Sequence, residues 1–216
     1  MKEQYHGSLR EQVFVQIEED IINGRYLEGE KITESMLCND LGVSRTPIRE
    51  AIRQLELEGL VESIPNKGIV VTGITRTDIE DIFEIRELIE GLAARKSALK
   101  MNDEEIERLK EIIDLQEFYT MKNDIKGLVK MDSEFHKAIF KGSASRTLNN
   151  TLSMFHHNLK KARRDTFSNE FSDVILNEHK LIYEAIVNKD SKEAEKLTNK
   201  HVKNAKKRLT RKGNKE

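Results

Sequence analysis

The sequence predicts a mostly α protein, with an N-terminal winged helix-turn-helix and its small β-hairpin wing followed by an all-α antiparallel helical bundle. Three observations carry this expectation. The 216 residues contain only 2 Pro, 11 Gly and no Trp, too few turn formers for a many-stranded β fold. Apolar residues recur at helical spacing along most of the chain. Residues 60–72 alone offer two short β-branched runs around a turn, Pro65-Asn66-Lys67-Gly68. The chain is hydrophobic at 37% and charged at 35%, too rich in Leu, Ile and Val for disorder. At ~150 residues per domain, its length suits one large domain or two small ones.

The elements follow in order. Leu9, Val13, Ile17, Ile21 and Ile22 share one face of a first helix that Asn23-Gly24 stops. Thr33 can cap a short second helix that carries Met36, Leu37 and Leu41 and closes at Gly42. Only Gly42 and Val43 separate it from the next start at Ser44, and so tight a turn between two helices is the helix-turn-helix pattern. Ile48, Ala51, Ile52 and Leu55 give the third helix its buried stripe, with Pro47 in the first turn, where a missing N–H costs little. Near Gly59 this helix gives way to the wing strands, Leu60–Ile64 and Ile69–Thr72. The first domain is thus expected over residues 8–73, with a linker to about residue 76.

Beyond the linker the chain has no Pro and few Gly, and a second domain is expected over residues 78–210. Thr77-Asp78-Ile79-Glu80 reads as a capping box, and Ile82, Phe83, Ile85, Leu88, Ile89 and Leu92 follow at helical spacing. Further helices are expected from Asp103 through Phe118, Asp124 to Phe140, Ser145 to Thr166, Glu170 to Val187, and Asp190 to Leu209. Short connections make neighbours antiparallel.

A single cysteine, Cys38, excludes a disulfide framework and reads as a small packed residue of the second helix. The N-terminus lacks the apolar core of a signal peptide, and no apolar run approaches the ~20 residues that span a bilayer. A cytoplasmic protein without a membrane partner is expected. Net charge is −1, but residues 1–75 hold 8 basic and 13 acidic side chains, against 29 and 25 in the remainder. Composition therefore argues against DNA binding by the first part, and arrangement has to decide.

Arrangement favours it. Arg45, Arg49 and Arg53 stand four residues apart on the third helix, drifting only ~40° per step, and Thr46 lies beside them. A helix that presents arginines and a hydroxyl from its first turns can enter the major groove, and Lys67 at the wing tip adds a second basic contact. The string Leu41-Gly42-Val43-Ser44-Arg45-Thr46-Pro47-Ile48-Arg49-Glu50-Ala51-Ile52, with Leu55-Glu56-Leu57-Glu58-Gly59-Leu60-Val61 and the wing Asn66-Lys67-Gly68-Ile69-Val70-Val71, resembles the GntR family of winged-helix transcription regulators. The resemblance implies double-stranded DNA as partner, with Ser44, Arg45, Thr46 and Arg49 at the operator and Lys67 and Gly68 in the wing, beside Arg53 of the stripe. Ser35 stands where some members carry a DNA-contacting Arg.

A second set of residues points to a metal. Asp132 and His136 are i, i+4 on one helix, while His179 and His201 each lie about ten residues from the break near residues 188–190. An antiparallel pair about that break brings the last two to similar heights. Three imidazoles and a carboxylate suit Zn²⁺, Ni²⁺ or Mn²⁺, although the same spacing also fits ordinary core histidines. His6, His156 and His157 read as ordinary residues.

Met131-Asp132-x-x-Phe135-His136-x-x-Ile139, Glu178-His179-x-x-Ile182-x-x-Ala185-Ile186, and Asp190-x-x-x-Ala194 with His201-Val202 resemble the helical FCD effector domain, which follows the winged helix in one GntR subgroup. The resemblance implies a divalent metal on Asp132, His136, His179 and His201 that helps bind a small organic acid. Ser145 replaces an Asn common in that domain. Arg86 matches the family too and can pair an effector carboxylate, or alternatively Glu90 at i+4; Arg163 or Arg164 can serve similarly. The basic C-terminal run, Lys203 to Lys212, reads as a solvated helix end.

The function expected is a ligand-responsive regulator, a repressor released by a small carboxylate metabolite, acting as a homodimer on a palindromic operator. The alternatives are a metal-dependent enzyme using the Asp/His cluster with Glu178 as base, and an interaction bundle in which the histidines only pack.

Overall fold

The computed structural model describes residues 8–65, 68–159 and 169–213. The chain divides into two compact units, Met1–Asp78 and Ile79–Glu216.

In the first unit, α1 (Leu9–Ile22) opens with a capping box: Ser8 Oγ accepts from the Glu11 N–H, and the Glu11 carboxylate accepts from the Ser8 N–H. Helix α2 (Glu34–Leu41) is capped by Thr33 and ends at Gly42, whose left-handed φ of 67° makes the sharp turn into α3 (Arg45–Leu57). The wing strands β2 (Val61–Ile64) and β3 (Gly68–Val71) pair antiparallel, Val61 opposite Val71 and Ile64 opposite Gly68. The sheet has a third strand that the sequence does not announce. Strand β1 (Lys31–Ile32) pairs with β3 at Val70 and Ile69, and two residues are too few to show a period. Ile17, Ile32, Leu37, Ile48, Leu55 and Leu60 form the centre of the core, each worth about 1.5–3 kcal/mol when buried. The Tyr26 hydroxyl donates to Asp40, and burial together with that bond pushes its pKa up to about 12. Cys38 packs partly buried against this core.

The second unit comprises α4 (Arg76–Lys100), α5 (Asp103–Met121), α6 (Ile125–Gly142), α7 (Arg146–Asn158), α8 (Asn169–Val187) and α9 (Ser191–Gly213). Helix α5 lies against α6 and α8, α7 against α6, and α8 against α9. Leu109, Ile112, Phe135, Ile139, Leu152 and Ile186 fill the centre.

Several boundaries and faces differ from the sequence reading. The cap of α4 is built by Thr75 and Asp78, which exchange hydrogen bonds, so the helix starts before Thr77. Its inward face carries Phe83, Arg86, Glu90, Ala94 and Ser97, leaving Ile85 and Leu88 42% and 78% exposed. The apolar stripe misplaces this face by a fraction of a turn because two buried positions are charged. On α5, Gln116 is buried and Phe118 exposed. Helix α7 is described to Asn158, the stretch on to Thr166 lying outside the described residues, and α9 continues past Leu209 to Gly213. The helix-ending turns after α5, α6 and α8 place Asn123, Ala144 and Lys189 in the left-handed region, with φ of 52°, 49° and 55°. That conformation usually signals glycine, so these stops are invisible to a search for Gly.

Candidate functional site

Ser44, just before α3, and Arg45, Thr46, Arg49 and Arg53 on it are all exposed, away from the buried Ile48, Ala51, Ile52 and Leu55. Gly68 opens β3 with a φ of 90°, a conformation that favours glycine. Lys67 lies outside the described residues. Arg49 is engaged within the chain: its Nε donates to both carboxylate oxygens of Glu34, each at 2.9 Å, from the first turn of α2. Glu34, Arg49, Arg53, Glu56 and Ser63 line an open groove of about 400 Å³ on this unit.

In the helical unit, α6, α8 and α9 bring His136, His179 and His201 together. Each is buried, and each offers one ring nitrogen within 4.8 Å of those of the other two. Asp132, one turn before His136 on α6, places Oδ1 3.8 Å from His136 Nε2 and 3.7 Å from His179 Nε2. Outer partners fix the tautomers. His179 Nδ1 lies 2.9 Å from Gln116 Oε1, and His201 Nδ1 lies 2.7 Å from Glu178 Oε2. Both partners accept, so each Nδ1 carries a proton and Nε2 is the nitrogen left to bind a metal. Burial, reinforced by neighbouring His156, holds His136 well below the usual histidine range, which keeps it neutral. The donor set therefore fits a borderline divalent ion: three imidazole nitrogens plus a carboxylate, with Nδ1 of His179 and His201 held from outside.

A second buried group adjoins the first through His136. Glu90 Oε1 accepts from Arg86 Nε at 2.5 Å and from His156 Nε2 at 2.8 Å, and Oε2 lies 3.7 Å from His136 Nδ1. Burial pushes the Glu90 carboxyl up, but Arg86, His156 and His136 together hold it well below the usual carboxylate range. Of the two pairings open to Arg86, the structure contains the one with Glu90. Its guanidinium is 2% exposed and stacks near Phe83, and Nη1 has no hydrogen-bond partner among the described residues. Arg163 and Arg164 lie outside the described residues, as does His6.

His156, read from the sequence as an ordinary residue, is buried, and it joins Glu90 and His136 in a second close group, its ring 4.4 Å from that of His136. The signal was present, since His156 follows the buried Leu152 by four residues and shares its face. Gln116 was likewise missed, and Glu90 was read only as a partner for Arg86, not as a partner of His156; both lie on buried faces among apolar neighbours. Glu178 does not fit a catalytic base. Burial raises its carboxyl, but hydrogen bonds from His201 and Arg208 pull it down to about 2. Arg208 binds it with a two-pronged contact, Nη1 and Nη2 at 3.2 and 3.0 Å, so this arginine of the C-terminal run is buried instead of solvated.

Family models match both units, residues 9–71 to the bacterial regulatory proteins of the gntR family and residues 81–204 to the FCD domain. The chain belongs to the GntR family. A relative from Bacillus subtilis, the uncharacterized HTH-type transcriptional regulator YdhC, is 31% identical over 187 residues, covering 86% of this chain and 83% of that one. The gluconate operon transcriptional repressor of Bacillus licheniformis is 28% identical, covering 79% and 72%. Among solved structures, Escherichia coli McbR/YncC has the same fold, with a TM-score of 0.78, 18% identity, and coverage of 95% and 99%. This GntR-family chain is a transcription regulator, and the enzyme alternative is set aside on the family and its relatives. Its helix-turn-helix implies DNA as partner, and FCD domains can bind metal. No helix among the described residues is long and apolar enough to cross a membrane.

Proposed function

We propose that the chain is a repressor that binds a palindromic operator as a homodimer and is released by a small organic acid received at a metal centre in the FCD domain. One observation carries the reading: three buried imidazoles and Asp132, drawn from α6, α8 and α9, face one another inside the domain that follows a DNA-reading unit. Asp132, His136, His179 and His201 would hold one divalent ion, Zn²⁺, Ni²⁺ or Mn²⁺, and the ion supplies a Lewis-acidic position for an incoming carboxylate. Arg86, through the Nη edge that Glu90 leaves over, supplies positive charge in the same core, with Arg163 or Arg164 as further candidates. A buried carboxylate needs such compensation. Support for repression comes from the Bacillus licheniformis relative, a repressor by name. Support for a dimer comes from Ile85 and Leu88, apolar side chains that α4 leaves exposed.

On the DNA side, Ser44, Arg45, Thr46, Arg49 and Arg53 meet the major groove, with Lys67 and Gly68 at the adjacent backbone or minor groove. The test joins the two halves. His136→Ala and His179→Ala should each lower metal content from one ion per chain to near zero, measured by elemental analysis. Both variants should also lose release from DNA by any member of a panel of small mono- and dicarboxylates, while still binding the sequence that the wild-type chain selects. Full metal content and normal release in both variants would return the histidines to simple packing.

A further inference from the structure

The operator-facing surface contains a carboxylate where a polyanion is expected to land. Glu34 sits in the first turn of α2, is partly exposed, and receives Arg49 Nε on both oxygens at 2.9 Å. It belongs to the groove that also holds Arg53 and Ser63. Neither Arg45 nor Arg53 has an ion-pair partner among the described residues, so Glu34 acts on Arg49 selectively. The whole first unit is acidic in balance, so its hold on DNA depends on where its few cations stand.

A guanidinium held through Nε has one edge occupied and the opposite fork, Nη1 and Nη2, still available. That fork matches the O6 and N7 acceptors of guanine in the major groove. A phosphate would have to approach the same arginine beside the Glu34 carboxylate, which repels it. Thr33 fixes the place of Glu34, since its Oγ1 caps α2 by accepting from the Met36 N–H at 3.1 Å.

From this juxtaposition we infer that Glu34 is a specificity-determining residue: it holds Arg49 by Nε so that the arginine reads a guanine edge and is barred from serving as a phosphate clamp. The inference rests on the DNA-binding reading of α3. It names the residue that converts a general cation into a base reader, and Glu34 acts as a positioning residue through Arg49.

The test uses the full-length chain and selection from a random duplex library, so no operator has to be known beforehand. Wild type, Glu34→Gln, Glu34→Ala and Arg49→Ala are each put through selection, and binding to the wild-type consensus and to random duplex is followed against salt. Glu34→Ala should lose base preference at one position per half-site, the same position lost in Arg49→Ala. Its affinity for random duplex should rise about threefold or more. The slope of log affinity against log salt should steepen by about one per bound chain, because Arg49 is then able to neutralise a phosphate. Glu34→Gln, which keeps a hydrogen-bond acceptor without the charge, should fall between. An unchanged motif or an unchanged salt slope in Glu34→Ala, with its melting temperature preserved, overturns the inference. If the wild-type chain itself selects no motif, the DNA-binding reading fails first and takes this inference with it.

Discussion

In the winged helix, the α3 arginines are exposed around a core of Ile17, Ile32, Leu37, Ile48 and Leu55, and Glu18 is the only buried charged side chain among the described residues of that unit. The helical unit is built the other way. Arg86, Glu90, Asp132, His136, His156, His179 and His201 are all at or below 7% exposure. The contrast matches the two kinds of partner, DNA and the proposed small organic acid. A duplex remains hydrated and meets charge displayed on a surface, whereas a small anion has to be stripped of water and needs compensating charge already held inside. The first arrangement leaves stability to aliphatic packing. The second makes stability depend on keeping every buried charge paired.

That dependence gives the largest expected effect. Glu90→Ala leaves Arg86 buried without its carboxylate and should cost about 3–5 kcal/mol in urea unfolding of the helical unit. A loss under 1 kcal/mol would show that water or another group already compensates Arg86. Next is the metal. Removing it with a chelator should lower the stability of the helical unit by about 3 kcal/mol relative to protein at an ion concentration a hundredfold above Kd, and His179→Ala should abolish the difference. The winged helix should melt unchanged, and equal shifts in both units would blur the distinction between them. On the surface side, Arg49→Ala should weaken binding to the selected operator on the order of tenfold or more without changing thermal stability, measured by anisotropy and calorimetry.

The smallest effect concerns the Tyr26–Asp40 bond. Tyr26→Phe should cost about 1 kcal/mol. Because the folded phenol titrates near 12 instead of 10, its contribution is complete below pH 10 and is lost as pH rises toward 12. The stability difference between wild type and Tyr26→Phe should therefore shrink across that window, and a constant difference would assign the bond no ionisation linkage.

The same contrast decides how much the chain discloses before folding. The α3 stripe, the Gly42 turn and the wing are local patterns, readable within about thirty residues because surface and core alternate along single elements. The histidines proposed to hold a metal were legible only as types on helices, since their convergence depends on how α6, α8 and α9 pack. Their outer partners were legible only in other roles or not at all: Glu90 read as a partner for Arg86 and Glu178 as part of a motif or a base, while Gln116 looks like an ordinary polar position until α5 is set beside His179. The Glu34–Arg49 pair lies fifteen residues apart across the turn, beyond any helical periodicity. Arg208 misled for the converse reason, a basic residue in a basic run that one buried carboxylate draws inward.

The α8–α9 turn has no slack. Helix α8 ends at Val187 and α9 begins at Ser191, and the N–H groups of Asn188, Lys189 and Asp190 bond back to Glu184, Ile186 and Ala185. Lys189 completes the reversal in the left-handed region. An added or deleted residue therefore has to be absorbed by a helix, turning everything beyond it by ~100° and shifting it by ~1.5 Å. His179 and His201 lie on opposite sides of this turn, so their agreement in height is a matter of counting. Loop length is therefore fixed by that count: a single-codon insertion at this turn would take His201 out of register with His179 and with it the proposed ligand response.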